Sequence, residues 1–321
     1  MTPRASAVIV TYNSLHVIDS CLAQLADVSD TDLEIIVVDN SSSDGTAEHV
    51  ERRWPGVRVI RNDSNAGFAA AVNIGAGHAT GLAVLLLNPD CLLAPDALAV
   101  LTDACLSGRR VVAPVIEHPT GRLAVMDCGR GPRLVPLLSH YSGISRLVPW
   151  SSPLAGLYLL PRQFHGTTSV EWVSGACLMA DRVTWDLLGG MTERWFMYAE
   201  DVELCLRAGR AGADVQVVAG ASAIHSIGGS STGAAASPSS AWLVNLFDLY
   251  KIAYRPSWPA RLAWRTVAAA GMLSRAAVYR LRARRSGEQQ WLAEAAAFVQ
   301  HAKAISAVPL SIVPTSGEVR P

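Results

Sequence analysis

The sequence predicts an α/β fold with a mostly parallel central sheet, and three observations carry the prediction. Through residues 1–115, short apolar runs alternate with helical segments in strand–helix order. The runs are continuous Val, Ile and Leu with few polar interruptions, which suits strands covered by helices on both faces. Each early run ends in a polar loop (Thr11-Tyr12-Asn13, Asp39-Asn40-Ser41, residues 62–67, and Asn88-Pro89-Asp90). Open α/β sheets hold their ligands at these strand ends.

Strands are expected at 7–10, 34–38, 57–60, 82–87 and 110–113, where β-branched and aliphatic residues dominate. The helices between them are expected at 14–25, 45–53, 68–78 and 95–106. Ser14, Asp44 and Pro95 stand at three of the starts, where orphan backbone amides favour a side-chain acceptor or a residue with no N–H. Beyond 114 the rhythm breaks. Residues 115–126 read as a hairpin around Pro119-Thr120-Gly121, and 128–166, rich in Gly, Pro and Ser, as irregular chain. A stretch of that length inside a compact domain is usually functional or disordered. A strand at 170–179, short helices at 182–188 and 201–208 and a strand at 215–218 follow, then His225 and a Gly- and Ser-rich segment at 228–240. The last 80 residues read as helix at 242–250, 259–285 and 289–304, with a loose tail from 308.

Half of the 321 residues are apolar, which excludes a disordered chain. Lys plus Arg and Asp plus Glu number 27 each, so no global field recruits nucleic acid. The six cysteines form no CxxC pair, which argues against a disulfide framework or a structural zinc site and for small buried thiols. Residues 1–10 lack an export-signal pattern and no apolar stretch reaches membrane-spanning length, so a cytoplasmic protein, soluble or at a membrane surface, is expected. Segment 259–285 carries seven arginines with loosely periodic apolar residues. Two readings stand for it: a helix on an anionic membrane surface, or one packed on protein.

Several residues can carry chemistry. Asp90, just past a strand end, suits a Mg²⁺ or Mn²⁺ ion facing a diphosphate, and equally an ordinary Asn-Pro-Asp turn. Asp39 can accept from a pyrimidine N–H or a ribose hydroxyl. Asn62, Asn65 and Gly67 form a polar nest before a helix, suited to phosphate or to a plain turn. Trp195 to Tyr198 runs into the acidic pair Glu200-Asp201 at a helix start, which reads as a general base with an orienting partner, or as an acidic cap. His225, after a strand, can complete a metal site with Asp90, contact phosphate, or serve structure. Neither GxGxxG nor GxxxxGK[ST] is present, so dinucleotide and P-loop readings lose support.

Taken in order, these strings resemble the family 2 glycosyltransferases of the GT-A fold, above all a bacterial rhamnosyltransferase-like branch that builds cell-surface polysaccharide and glycolipid. The matching strings are Val10 to Ser14, Ile36 to Gly45, Asn65-Ala66-Gly67-Phe68 with Asn73, Leu87-Asn88-Pro89-Asp90, Val173 to Cys177, Phe196-Met197-Tyr198, Glu200 to Arg207, and His225 ahead of Gly228. Together they span about residues 6–235. The resemblance implies a catalytic domain over 1–240, with a donor half at 1–115 and an acceptor half at 116–240, and a helical extension at 241–321.

It also implies roles. Asp39 would read the donor base, with Thr11, Tyr12 and Asn13 lining that pocket and Asn65, Gly67, Asn73 and Asn88 on the donor side. Asp90 and His225 would hold Mg²⁺ or Mn²⁺. Asp201, beside Glu200, would deprotonate an acceptor hydroxyl, and Trp172, Ser174, Gly175 and Tyr198 would border sugar and acceptor. The reaction implied is inverting transfer of a sugar, L-rhamnose from dTDP-L-rhamnose first among donors, to a polyprenyl-linked glycan or a glycolipid. Galactofuranosyl, glucosyl or N-acetylglucosaminyl donors and a natural-product acceptor are the alternatives, followed by a non-catalytic scaffold. A scaffold has no physical need for Asp39, Asp90, Asp201 and His225 together. Oligomers and peripheral contact of the basic C-terminal helices with the inner face of the plasma membrane fit the same resemblance. Two positions depart from it: Met191-Thr192-Glu193 stands where Phe-Asp-Glu is common, and Trp195 where Phe is.

Overall fold

The computed structural model describes residues 2–26, 32–117, 127–226 and 239–312. It forms two compact units: Met1–Gly129 with Tyr158–Gly233, and Arg130–Leu157 with Ala234–Pro321. The predicted hairpin turn at 119–121 and most of the Gly-rich segment at 228–240 lie outside the described residues.

The first unit is a mixed sheet with helices. Its strands are β1 (Ala5–Thr11), β2 (Leu33–Asp39), β3 (Arg58–Arg61), β4 (Ala83–Leu87), β5 (Cys91–Leu93), β6 (Arg110–Glu117), β7 (Cys128–Gly129), β8 (Thr168–Ser169), β9 (Trp172–Val173), β10 (Cys177–Asp181) and β11 (Asp214–His225). The main sheet runs β3-β2-β1-β4-β10-β6-β11-β5, with β8 on β11, and β7 pairs β9 separately. The block β3-β2-β1-β4 is parallel throughout. Strand β10 enters antiparallel to both β4 and β6, while β11 runs parallel to β6. The helices are α1 (Ile18–Ala26), α2 (Thr46–Arg53), α3 (Phe68–His78) and α4 (Ala97–Leu106), with α6 (Arg182–Leu188) and α7 (Glu200–Arg210) later; α5 (Leu134–Ser142) belongs to the second unit.

The continuous apolar runs become fully buried strands: all five residues of β4 and all five of β10 are buried. Helix α3 lies close on the sheet because Gly75 has no side chain. A Cβ there would stand 2.5 Å from Val8 Cγ1 and 2.9 Å from Val38 Cγ2.

Three sequence expectations change. The strand expected at 170–179 splits into β9 and β10, because Ser174-Gly175-Ala176 leaves the ladder and the Gly175 N–H donates to the Asp201 carboxylate. The strand expected at 215–218 continues to His225 across a register shift between Val217 and Ser222, where Gly220 takes φ +88°. The irregular 128–166 stretch contains α5, whose Leu137 is fully buried.

In the second unit, α5 packs with α8 (Ala241–Tyr254), α9 (Trp258–Ser286) and α10 (Gln290–Ala307). Trp264 of α9 is fully buried, stacked on Phe247 at 4.9 Å between ring centres, and its indole N–H donates to the Pro132 carbonyl at 2.7 Å. Gly271 lets α9 meet the Tyr141 ring of α5, which a Cβ would overlap. Lys251, Arg261 and Arg265 donate to the carbonyls of Ser311, Leu310 and Val308, each at 2.9 Å, so the chain after α10 is strapped back by three cations. No helix among the described residues is long and apolar enough to cross a membrane.

Two stability outcomes follow. Gly75→Val should cost about 1–3 kcal/mol through overpacking against Val8 and Val38. Trp264→Ala should cost about 3–5 kcal/mol. Both are read from midpoints of denaturant unfolding, and an unchanged midpoint would contradict the packing described.

Candidate active site

The parallel register sets Thr11 directly beside Asp39 at the ends of β1 and β2. The Thr11 hydroxyl donates to Asp39 Oδ1 at 3.0 Å, and Ser42 donates its hydroxyl to Oδ1 at 2.6 Å and its N–H to Oδ2 at 2.9 Å. Asp39 is 3% exposed, so these donors hold a buried carboxylate in one orientation. Asn13, at φ +52°, accepts the Ser43 N–H on its side-chain oxygen at 2.8 Å. Tyr12 between them is half exposed.

The next loop is organised by Asn40, which sequence reasoning passed over. Its amide donates to Asn65 Oδ1 at 2.9 Å and to the Gly67 carbonyl at 3.1 Å, and its oxygen accepts from Asn62 and from the Ala66 N–H. An Asn directly after a β-strand end, with two more Asn ahead, was the available signal. Gly67, at φ +88°, touches the aromatic loop: a Cβ there would sit 2.5 Å from the Phe196 carbonyl, which accepts the Phe68 N–H at 3.0 Å. Asn65 serves the same turn, its side-chain oxygen also accepting the Gly67 N–H. Asn73, expected on the donor side, is spent elsewhere. Its amide donates to the Met191 carbonyl and to Glu193 at 2.9 Å each, and its oxygen accepts the Met191 N–H. It braces the segment that leads into the aromatic loop.

Asp90 and His225 come together from distant parts of the chain. His225 Nε2 lies 3.3 Å from Asp90 Oδ1 and 3.4 Å from the Asn88 amide nitrogen, and the Asp90 side chain is 2% exposed. The antiparallel pair of β11 with β5 makes the meeting, since His225 stands opposite Cys91 and the Ser226 N–H donates to the Asp90 carbonyl. His225 Nδ1 is buried with no hydrogen-bond partner. No group of three metal-ligating side chains occurs among the described residues. A carboxylate and an imidazole suit a hard cation that takes its remaining ligands from substrate phosphate and water.

The acidic pair opens α7. Asp201 Oδ2 accepts the Gly175 N–H at 2.9 Å and Oδ1 its neighbour Val202 N–H at 2.7 Å. A Cβ on Gly175 would lie 3.3 Å from the Phe68 ring and in ordinary contact with Asp201 Cβ at 3.4 Å. Glu200 is 4% exposed and its Oε2 has no hydrogen-bond partner. Burial, with the Asp201 charge added, pushes its carboxyl up to about 7. Burial also raises Asp201, with the Asp127 charge acting in the same direction. Asp127 was not singled out in the sequence; its carbonyl accepts the Ser174 N–H at 2.9 Å, which places it next to the Gly175 turn.

Tyr198 (φ +72°) and Ala199 (φ +80°) are both left-handed immediately before α7. Each such non-glycine residue costs about 1–3 kcal/mol, and strain of this kind gathers at functional sites. Phe196, Met197 and Tyr198 stay exposed beside this turn. Glu203 and Arg207 do more than pair, because Arg207 also donates to the carbonyls of Leu188 and Gly190. Trp172 stacks edge-on to Tyr158 at 5.7 Å, and Ser174 donates no side-chain bond but accepts the Ala176 N–H.

Comparison with known proteins gives four findings. A model of Glycosyl transferase family 2 matches residues 6–126. The chain is 31% identical over 227 residues, 66% of this chain and 72% of the relative, to N-acetylglucosaminyl-diphospho-decaprenol L-rhamnosyltransferase of Mycobacterium tuberculosis. It is 25% identical over 228 residues, 68% of this chain and 66% of the relative, to a low-salt glycan biosynthesis hexosyltransferase of Haloferax volcanii. Among solved structures, a mannosyltransferase of Pyrobaculum calidifontis in complex with GDP-Man and Mn²⁺ superposes with a TM-score of 0.60 at 19% identity, over 96% of this chain and 88% of that one. That likeness shows a shared glycosyltransferase fold. With the strand-end loops, the acidic pair and the mycobacterial relative in agreement, this chain belongs to the family 2 glycosyltransferases.

Proposed function

We propose that the chain transfers L-rhamnose, with inversion, from a nucleoside diphosphate donor to a hydroxyl of a lipid-linked glycan. The observation that carries the reaction type is Asp201, a carboxylate with a raised proton affinity, held by the Gly175 N–H next to an exposed aromatic loop. The sugar and acceptor rest on the mycobacterial relative, whose name states both.

In the reaction, Asp201 takes the proton of the acceptor hydroxyl as its oxygen attacks the anomeric carbon. The bond from that carbon to the donor phosphate breaks, and the nucleoside diphosphate departs with the electron pair. A base needs partial burial for a proton affinity near the working pH, and burial raises Asp201. Asp127 keeps negative charge close to Asp201 and so favours proton uptake. Asp39, fixed by Thr11 and Ser42, faces the nucleoside end, with Tyr12 beside it. Asp90 and His225 would hold Mg²⁺ or Mn²⁺, which when bound neutralises charge on the diphosphate.

Three outcomes test this reading. Asp201→Asn should lower kcat by about 10²–10⁴-fold while nucleotide-sugar binding, read by calorimetry, persists. A loss of binding with kcat unchanged would refute the base assignment. Asp90→Ala should abolish the part of donor binding that depends on Mg²⁺ or Mn²⁺, measured across dTDP-L-rhamnose, UDP-glucose, UDP-galactofuranose and UDP-N-acetylglucosamine; preference for a donor other than dTDP-L-rhamnose would replace the sugar assignment.

The third outcome concerns pH. Because the folded protein holds the Glu200 proton more tightly than the unfolded chain, this group's contribution to stability is lost as pH rises from its ordinary 4.5 through about 7. Glu200→Gln should therefore raise the melting temperature more above that window than below it. Asp127→Asn should move the acid limb of the kcat profile to lower pH, since the neighbouring charge that raises Asp201 is gone. A limb that stays in place would remove Asp127 from the electrostatics of the base.

A further inference from the structure

The zero net charge of the chain conceals a partition. The first unit carries 13 Lys and Arg against 23 Asp and Glu, a formal charge of −10; the second carries 14 against four, a formal charge of +10. No carboxylate occurs between Asp127 and Glu171, or between Asp248 and Glu288.

Within the second unit, the cations divide into two groups. Arg261 and Arg265 are spent on backbone carbonyls, and Arg275 lies against the His140 and Tyr141 rings. Arg280, Arg284 and Arg285, by contrast, are exposed near the end of α9. The helix dipole favours cations there, but it gives no account of the apolar side chains among them. Leu273, Ala277 and Leu281 follow at i, i+4 and i+8 on one face of α9, with Val278 alongside, and the three larger side chains are about half exposed. The same occurs on α5. Its Tyr141 and His140 face Gly271 and Arg275 of α9, while Val135 and Leu138 point outward and Leu147, just beyond, is 84% exposed.

An apolar stripe interspersed with arginines, on a helix that itself carries no carboxylate, has a physical match in an interface that is oily beneath and negative on top. A nucleic acid would take the arginines and leave the leucines in water. A second copy of the same face would bring together two bodies of like charge. We propose that the second unit docks on an anionic lipid bilayer. Leu138, Leu147, Leu273 and Leu281 enter the boundary between headgroups and acyl chains, and Arg280, Arg284 and Arg285 pair with lipid phosphates.

Flotation of the full chain with vesicles tests this, using phosphatidylcholine alone and phosphatidylcholine mixed with phosphatidylglycerol. The chain should float with the mixed vesicles, bind far less to phosphatidylcholine, and be released as salt shortens the reach of the charges. Replacing Arg280, Arg284 and Arg285 by Gln should weaken binding by roughly a hundredfold, at about fivefold per arginine. Leu147→Ser with Leu281→Ser should weaken it at every salt concentration. Circular dichroism checks folding of each variant, and these exposed positions should leave it unchanged. Nucleotide-sugar binding should also be unaffected, so a failure on vesicles is separable from a failure of the transfer reaction. The proposal is overturned if the wild-type chain ignores the anionic vesicles, if the variants float as it does, or if sedimentation finds a dimer that Leu281→Ser dissociates.

Discussion

Strand β10 runs antiparallel between β4 and β6, and the arrangement of the site depends on that insertion. The pairing of Cys177 with Leu87 brings the chain before β10 up to the end of β4, where the Asn88 N–H donates to the Ala176 carbonyl at 2.9 Å. One residue earlier, Gly175 holds Asp201. The pair Asp90–His225 and the pair Glu200–Asp201 are thus tied to neighbouring residues of one short segment, although 111 positions separate Asp90 from Asp201. One backbone–backbone hydrogen bond and one from a backbone N–H to the Asp201 carboxylate fix this relation.

A second constraint is electrostatic. The site gathers Asp39, Asp90, Asp127, Glu200 and Asp201 in a unit that is already strongly negative. Asp39 accepts from three donors, whereas Glu200 and Asp201 are pushed toward protonation by burial. Carboxylates of one unit thus sit in unlike surroundings, one fixed by hydrogen bonds and the pair at the start of α7 with raised proton affinity, as the proposed base requires.

Much of this was legible in the sequence, for identifiable reasons. The parallel strands announced themselves because burial on both faces forces unbroken Val, Ile and Leu, and Asp39 and Asp90 stood out as polar residues at the ends of such runs. What stayed hidden depended on partners far along the chain. Asn73 resembles a donor ligand until Met191 and Glu193, more than a hundred residues on, take its amide. Asp127 looks like loop until the β7–β9 pairing brings it to the Gly175 turn. The breaks at 174–176 and at Gly220 are invisible to apolar periodicity, because the flanking residues remain apolar on both sides. Helix α5 was hidden by composition, its Pro136, Ser139 and Ser142 reading as loop until Tyr141 is packed on α9.

The division of charge between the units has a practical meaning for anyone handling the protein. A sequence isoelectric point near 7.1 suggests a molecule that ignores both kinds of ion-exchange resin at neutral pH. A chain with one unit at −10 and the other at +10 should instead be retained by either resin. For the same reason, its solubility should rise when salt is added, as oppositely charged units of neighbouring molecules are screened from each other.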